Sequence, residues 1–483
     1  LKRFRPENAC YPLRGPGLPP RPGSMATLAD SPDAKSQGLS RKERRQLKEK
    51  AREQARADEL TPILQELTAD DGDVQLQAAH KLRAALGEGA QAAAAVDSAI
   101  RAGVLPRLVQ LSRSPTSREL QFEVLWILAD VSGASPEKAS AVAGEGAMDV
   151  CVELLCSPAA ATREQALTIL ANIAGASHEM CNAVAKVGAV ASIQKLVRGT
   201  SGQPVSVMQG AARCLHCLCQ GEPFPFLGEA AQPMIELLET LAMSSDEGVL
   251  TEACLSLACL QYKPADPAMQ FLRIGVVCPR LVELLTHTSD EVKLAATRAA
   301  MKIVVGGRQG LDAVMRCRPI ADLREMLRSE NSKVSKASCS MLANILALGA
   351  PCVQEVVDEG CPQLLVALLR ADDDEVKRAA ARALGVLSSR CTPEQLQPLA
   401  QPEAVAPMVA MLELAGLQGL CEVARLALTF LESVLEAGRR LKSETFAELV
   451  RDADAARLLE AVPQMSNDRD LCARARAVRS ALG

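Results

Sequence analysis

Aromatic residues are nearly missing from this chain: 1 Trp, 2 Tyr and 7 Phe in 483 residues. The apolar 48% must therefore be filled by Ala, Leu, Val, Ile, Met and Cys. Ala and Leu lead the helix scale while aromatic and β-branched residues favour strands, so the composition excludes a sandwich, barrel or propeller and predicts an all-α fold. An excess of one charge is missing too. With 54 Lys and Arg against 58 Asp and Glu, the net charge of −4 gives no overall attraction to nucleic acid or acidic lipid, and neither partner is expected. Long apolar runs are absent as well. The uncharged stretch from Ala337 to Gln354 contains Asn344, Gly349 and Pro351, which do not suit the ~20 apolar residues of a bilayer span. The N-terminus carries no apolar segment of the secretory kind, and Met25 reads as a more ordinary start than Leu1.

Chemistry-bearing motifs are scarce. The 17 Cys are odd in number and spread singly, which reads as reduced thiols of an intracellular protein and not as a disulfide framework. The 4 His stand at 80, 178, 216 and 287, and there is no phosphate-binding loop, nucleophile elbow or His-Glu-x-x-His zinc motif, so no enzyme and no cofactor are expected. Cys214-Leu-His-Cys217-Leu-Cys219 is the most metal-like run, but a second ligand pair at finger spacing is lacking and no metal site is assigned. Gly87-Glu-Gly89 and Gly144-Glu-Gly146 lack the third glycine and preceding strand of a dinucleotide loop.

What is present is a repeat. Glycine markers followed by an apolar helix start recur at Gly103, Gly146, Gly188, Gly275 and Gly360, with gaps of 43, 42, 87 and 85 residues, the last two being double steps. Each unit continues with a polar turn, such as Ser114-Pro115, Ser157-Pro158 or Asp372-Asp373-Asp374, and then a longer helix such as 163–174. Apolar positions 166, 167, 169, 170, 173 and 174 of that helix follow helical spacing. The glycines closing these longer helices, Gly133, Gly175 and Gly306, are expected to be left-handed C-terminal caps. A period of 42 to 45 residues belongs to armadillo and HEAT arrays, whose units bury their apolar faces only against their neighbours. The expected architecture is a right-handed α-solenoid of about nine repeats. Residues 1–35 are expected to be a disordered extension, 36–58 a basic helical arm, 59–451 the array and 452–483 a degenerate cap.

The segments Ile100–Val109, Leu120–Gly133, Glu164–Gly175, Val249–Leu257 and Gly275–Leu285, in order and in register, resemble the armadillo family and more closely the importin-α proteins, adaptors that carry nuclear-localisation-signal cargo. The resemblance implies a concave groove lined by the third helix of each repeat. In that family a Trp there stacks on cargo Lys and Arg stems, and an Asn four residues later holds the cargo backbone. Here the second repeat has Trp126 with Asp130, the third Thr168 with Asn172, the fourth Arg213 with Cys217 and the fifth Leu255 with Cys259. The sixth has Arg298 with Lys302, the seventh Ser340 with Asn344 and the eighth Arg382 with Val386. No pair is intact, and Ala176 stands where the family has an acid. Trp126, Asp130, Thr168, Asn172, Ser340 and Asn344 are thus the groove candidates. With ~0.5 to 2 kcal/mol lost per missing stacking contact, basic signal peptides are expected to bind poorly.

Between 41 and 56 lie eight basic and three acidic residues: Arg41, Lys42, Arg44, Arg45, Lys48, Lys50, Arg52 and Arg56 against Glu43, Glu49 and Glu53. The resemblance implies that this arm binds importin-β and folds back into the groove when unbound. The plain alternative is a solvated helix leading into the array. The whole reads as an importin-α-like adaptor of nuclear import, present in cytoplasm and nucleus. The rival reading is an armadillo scaffold for complex assembly with no transport role.

Overall fold

In the computed structural model the structure describes residues 60–86, 92–199, 202–220, 231–260, 274–349, 352–418, 421–465 and 468–482. All regular structure among the described residues is helical. The expected arm at 36–58, with its eight basic residues, lies outside the described residues. The chain divides into two units, residues 1–124 and 125–483.

In the first unit, helices 60–67, Gly72–Leu86, Ala92–Arg101 and Val104–Arg113 are followed by the start of the helix Arg118–Ala134. Its core is Leu67, Ala78, Ala79, Leu82, Leu105, Leu108 and Leu120, all buried. Successive repeats are joined by polar clips as well as by apolar contact. Arg107 Nε donates to the carbonyl of Leu67 at 2.9 Å, so a cation sits at the C-terminal end of a helix, where the dipole favours it. Arg83 Nη1 bridges both oxygens of Glu123 at 2.9 and 3.1 Å.

In the second unit the three-helix pattern is explicit. The fourth repeat, for example, has helices His178–Lys186, Ala189–Val197 and Val205–Cys219, and the seventh has Arg308–Arg316, Ile320–Leu327 and Ser332–Leu348. The long third helices, Ala160–Ala174, Val205–Cys219, Glu247–Cys259, Asp290–Val305, Ser332–Leu348, Asp374–Ser388 and Cys421–Leu441, pack each on the next as one continuous layer. Polar turn residues start them: Asp246, Asn331 and Asp373 accept backbone N–H groups of the first turn. The C-terminal residues form three further helices, Thr445–Asp452, Ala455–Met465 and Arg469–Ser480. No described helix is long and apolar enough to cross a membrane. The uncharged 337–348 stretch is a third helix whose Met341, Leu342, Ile345 and Leu346 are buried in the layer.

The glycines divide into two classes, and one expectation is corrected. Gly103, Gly146, Gly188 and Gly360 have φ between 71° and 83° and stand immediately before the second helices. There the chain reverses from the first helix through a left-handed residue, which only glycine adopts without a Cβ penalty. Gly275, the fifth marker, lies instead inside the helix Ile274–Glu283. The glycines at the ends of the third helices are not left-handed: Gly175 and Gly306 have φ of −76° and −63°, and Gly133 is helical. At Gly133 and Gly175 smallness serves packing. A Cβ on Gly133 would lie 3.2 Å from the Asn172 amide nitrogen, and one on Gly175 3.3 Å from the Ala171 carbonyl.

Candidate functional site

Each third helix of the second unit buries most of its circumference and leaves one stripe open. In Ala160–Ala174, residues 166, 167, 169, 170, 171, 173 and 174 are buried, whereas 164, 165, 168 and 172 are half-buried. Positions four apart share a helix face, so the residue pairs read from the sequence all fall on this stripe. Trp126, Thr168, Asn172, Cys217, Leu255, Cys259, Ser340, Asn344 and Val386 are half-buried, and Asp130, Arg213, Arg298, Lys302 and Arg382 are exposed. The stripes lie side by side because the helices do, which gives a face one residue-pair deep and several repeats long.

What the side chains do there differs from pair to pair. Asn172 Nδ2 donates to the carbonyl of Ala129 and to Ser132 Oγ, both at 3.1 Å, so its amide is turned back onto the third helix of the preceding repeat. Asn344, its counterpart four repeats on, makes no side-chain hydrogen bond among the described residues and keeps its amide open on the face. The hydroxyls of Thr168 and Ser340 bond to backbone carbonyls one turn earlier, those of Glu164 at 3.0 Å and Lys336 at 2.9 Å. Such back-bonding ties both groups to their own helix. Trp126 and Asp130 stand one turn apart on the helix Arg118–Ala134. The structure thus brings Asn172 to the second repeat, and leaves Ser340 and Asn344 together on the seventh.

One cluster on the face has no signal in the motif reading. His216 Nδ1 lies 2.6 Å from Glu252 Oε2, joining the third helices of the fourth and fifth repeats. Burial works against the charged ring, but the hydrogen bonds to the Cys259 sulfur and to Glu252, together with the Glu252 charge, outweigh it and push the imidazole up to about 9. His216 therefore carries a proton at neutral pH and acts as a cationic link between repeats. Cys214 faces inward, fully buried, where burial raises its thiol well above the usual range. The metal-like run accordingly sends His216 and Cys214 to different sides of the helix. The spacing His216 to Glu252, 36 residues and so close to one repeat, is the signal that could have revealed the link.

A second feature, visible in the sequence as single cations at Arg213, Lys302 and Arg382, is the distribution of charge. The third helices of repeats three to five carry two Lys or Arg against three acids, and those of repeats six to eight carry eight against four. The four acids of the latter group sit in the first turns of their helices. There Asp290 takes Lys293 at 2.9 Å and Asn331 at 2.8 Å, Asp374 takes Lys377 at 3.0 Å, and Glu375 takes Lys336. Further along the stripe Arg298, Lys302 and Arg382 make no hydrogen bond or ion pair among the described residues.

Comparison with known proteins agrees with this geometry. The armadillo/β-catenin-like repeat family model matches residues 349–389, the eighth repeat with its αL glycine at Gly360. Importin subunit alpha-4 of Arabidopsis thaliana is 30% identical over 417 residues, which cover 84% of this chain and 75% of that protein. Importin subunit alpha-1a of Oryza sativa subsp. japonica is 31% identical over 293 residues, 60% of this chain and 55% of the relative. The chain thus spans about half the length of the rice relative and three quarters of the Arabidopsis one. Among solved structures, an engineered protein matches with a TM-score of 0.74 at 27% identity, covering 88% of this chain and 98% of its own. The repeat period, the left-handed glycines before the second helices and the continuous layer of third helices have the same source as these similarities: the chain belongs to the importin-α branch of the armadillo-repeat family.

Proposed function

We propose that this protein is an importin-α-like adaptor that holds protein partners along the third-helix face and takes part in nuclear protein import, with an eroded site for basic localisation signals. The observation that carries this is the half-open stripe itself: seven successive repeats present a side-chain pair at family-like positions, from Trp126 and Asp130 to Arg382 and Val386. An extended partner rises ~3.3 Å per residue, so about three residues meet each helix of a layer with ~10 Å spacing. Side chains two helices apart then read residues about six apart in the partner. On this reading the basic residues 41–56 contact importin-β, and the protein moves between cytoplasm and nucleus.

Two measurements test the proposal. Full-length protein should retain importin-β in a pull-down, and neutralising Arg41, Lys42, Arg44 and Arg45 together should abolish that retention; equal retention by both would count against the transport role. A fluorescent basic signal peptide should bind weakly, above the micromolar range. A second reading, an armadillo scaffold without a transport role, is favoured by one observation: the Asn172 amide is already bonded to Ala129 and Ser132. Loss of importin-β retention with full retention of a groove-bound partner would select it.

A further inference from the structure

We infer that the face formed by repeats six to eight takes an extended segment of alternating acidic and aliphatic residues, the opposite charge to a basic localisation signal; this rests on the reading of the third-helix face as the partner surface. The first support is charge. Arg298 and Lys302 on the sixth repeat and Arg382 on the eighth are exposed, share the open stripe and have no partner among the described residues. Three of the four acids of the same helices, Asp290, Asp374 and Glu375, are held at the other end by Lys293, Asn331, Lys377 and Lys336, and the fourth, Glu291, is exposed in the first turn of its helix. Unbalanced cations set in a row attract an anionic chain and repel a cationic one. The basic residues 41–56 of this chain have the wrong sign for these repeats.

The second support is independent of charge. The large apolar residues that remain exposed include Val305, 60% exposed, and Leu348, 43% exposed. Val305 stands seven residues beyond Arg298 and Leu348 four beyond Asn344, which sets each within about 40° of that stripe residue at the C-terminal ends of neighbouring third helices. The face therefore has two parallel rows: cations at mid-helix and aliphatics nearer the helix ends, ~5–10 Å apart at 1.5 Å per residue. A strand crossing the helices points successive side chains to opposite sides. Acids at alternate positions would then turn to Arg298, Lys302 and Arg382, and aliphatics between them to Val305 and Leu348. Two helix spacings of ~8–10 Å set the length at about six residues. Asn344, open between the rows, can bond the peptide backbone of such a segment.

The test is a fluorescence-anisotropy titration of the full-length protein with a labelled Glu-Leu-Glu-Val-Asp-Leu peptide. Its companions are a block peptide of the same composition with acids and aliphatics separated, a basic signal peptide, and a short single-stranded DNA. The alternating peptide should bind, weaken as salt rises, and lose at least tenfold in affinity in Arg298→Glu/Arg382→Glu. It should lose severalfold in Val305→Ser/Leu348→Ser, a pair that leaves the charge untouched. All four positions are at the surface, and circular dichroism confirms that the variants keep the helical content of the parent. Equal binding of the block peptide or of DNA would overturn the inference in favour of an unspecific anion surface. Binding of the basic peptide alone would overturn it while leaving the adaptor reading standing, and absence of binding by every probe would overturn it too, with the importin-β pull-down deciding the adaptor reading separately.

Discussion

The third helices of repeats three to five and those of repeats six to eight share a backbone plan and differ in what closes their open stripe. In the earlier group Asn172 and His216 are directed at neighbouring repeats, the one bonding Ala129 and Ser132 and the other Glu252, while Thr168 is tied to its own helix and Arg213 is exposed. In the later group the helix-start acids absorb nearby Lys residues, while Arg298, Lys302, Arg382 and Asn344 remain open. The same scaffold position is therefore closed by a neighbouring repeat in one place and left open in another. Which of the two holds depends on whether a bonding group lies within reach on the adjacent helix, about one repeat away in sequence.

The largest expected effect breaks the comparison directly. Reversing Arg298, Lys302 and Arg382 together should lower affinity for an acidic segment by about tenfold to a hundredfold, or ~1.4–2.7 kcal/mol. Neutralising Glu164 and Glu247 in the earlier group should change it less than twofold, and a calorimetric titration reads both. The second effect is the share of the pH dependence that comes from His216 in the earlier group. The His216 ring is raised above its unfolded value of 6.5, so the charged ring contributes stability that is fully present below about 6.5 and is lost as pH rises through about 9. Urea melts should show a loss of stability from pH 6.5 to 9.5 that is about 1–3 kcal/mol smaller in His216→Gln than in the parent, the remainder coming from buried thiols such as Cys214 that ionise only on unfolding. Third, Asn172→Ala should destabilise by about 1 kcal/mol through loss of its two bonds, while Asn344→Ala leaves the melt unchanged and weakens peptide binding severalfold. Smallest is Gly133→Ala. Its Cβ would press on the Asn172 amide at 3.2 Å, which a side chain can yield to, and a shift of about 0.5 kcal/mol in the same melts is expected.

These contrasts explain what the sequence could and could not disclose. Helix class and repeat period were legible because composition and spacing are local properties, and four of the five glycine markers do take the left-handed turn. Gly133, Gly175 and Gly306 were misread as left-handed caps because a terminal glycine looks the same whether it supplies a φ or a gap. Only the neighbouring repeat, with Asn172 beside Gly133, tells the two apart. The open stripe was legible too, since i and i+4 fix a face. The state of each residue on it was not: Asn172 and Asn344 look alike in sequence, and what separates them is a Ser132 placed 40 residues earlier. Charge on repeats six to eight was visible as single residues, but its imbalance required knowing that Asp290, Asp374 and Glu375 are held at the helix starts.

The most direct measurement of the central claim, that repeats six to eight form an open recognition face, is photo-crosslinking of an alternating acidic–aliphatic peptide to the full-length protein, with adducts mapped by mass spectrometry. The account predicts adducts within 290–388, concentrated on the third helices around Val305, Asn344 and Leu348, and their loss in Arg298→Glu/Arg382→Glu. Adducts centred on 160–259, or spread evenly over the surface, would contradict it.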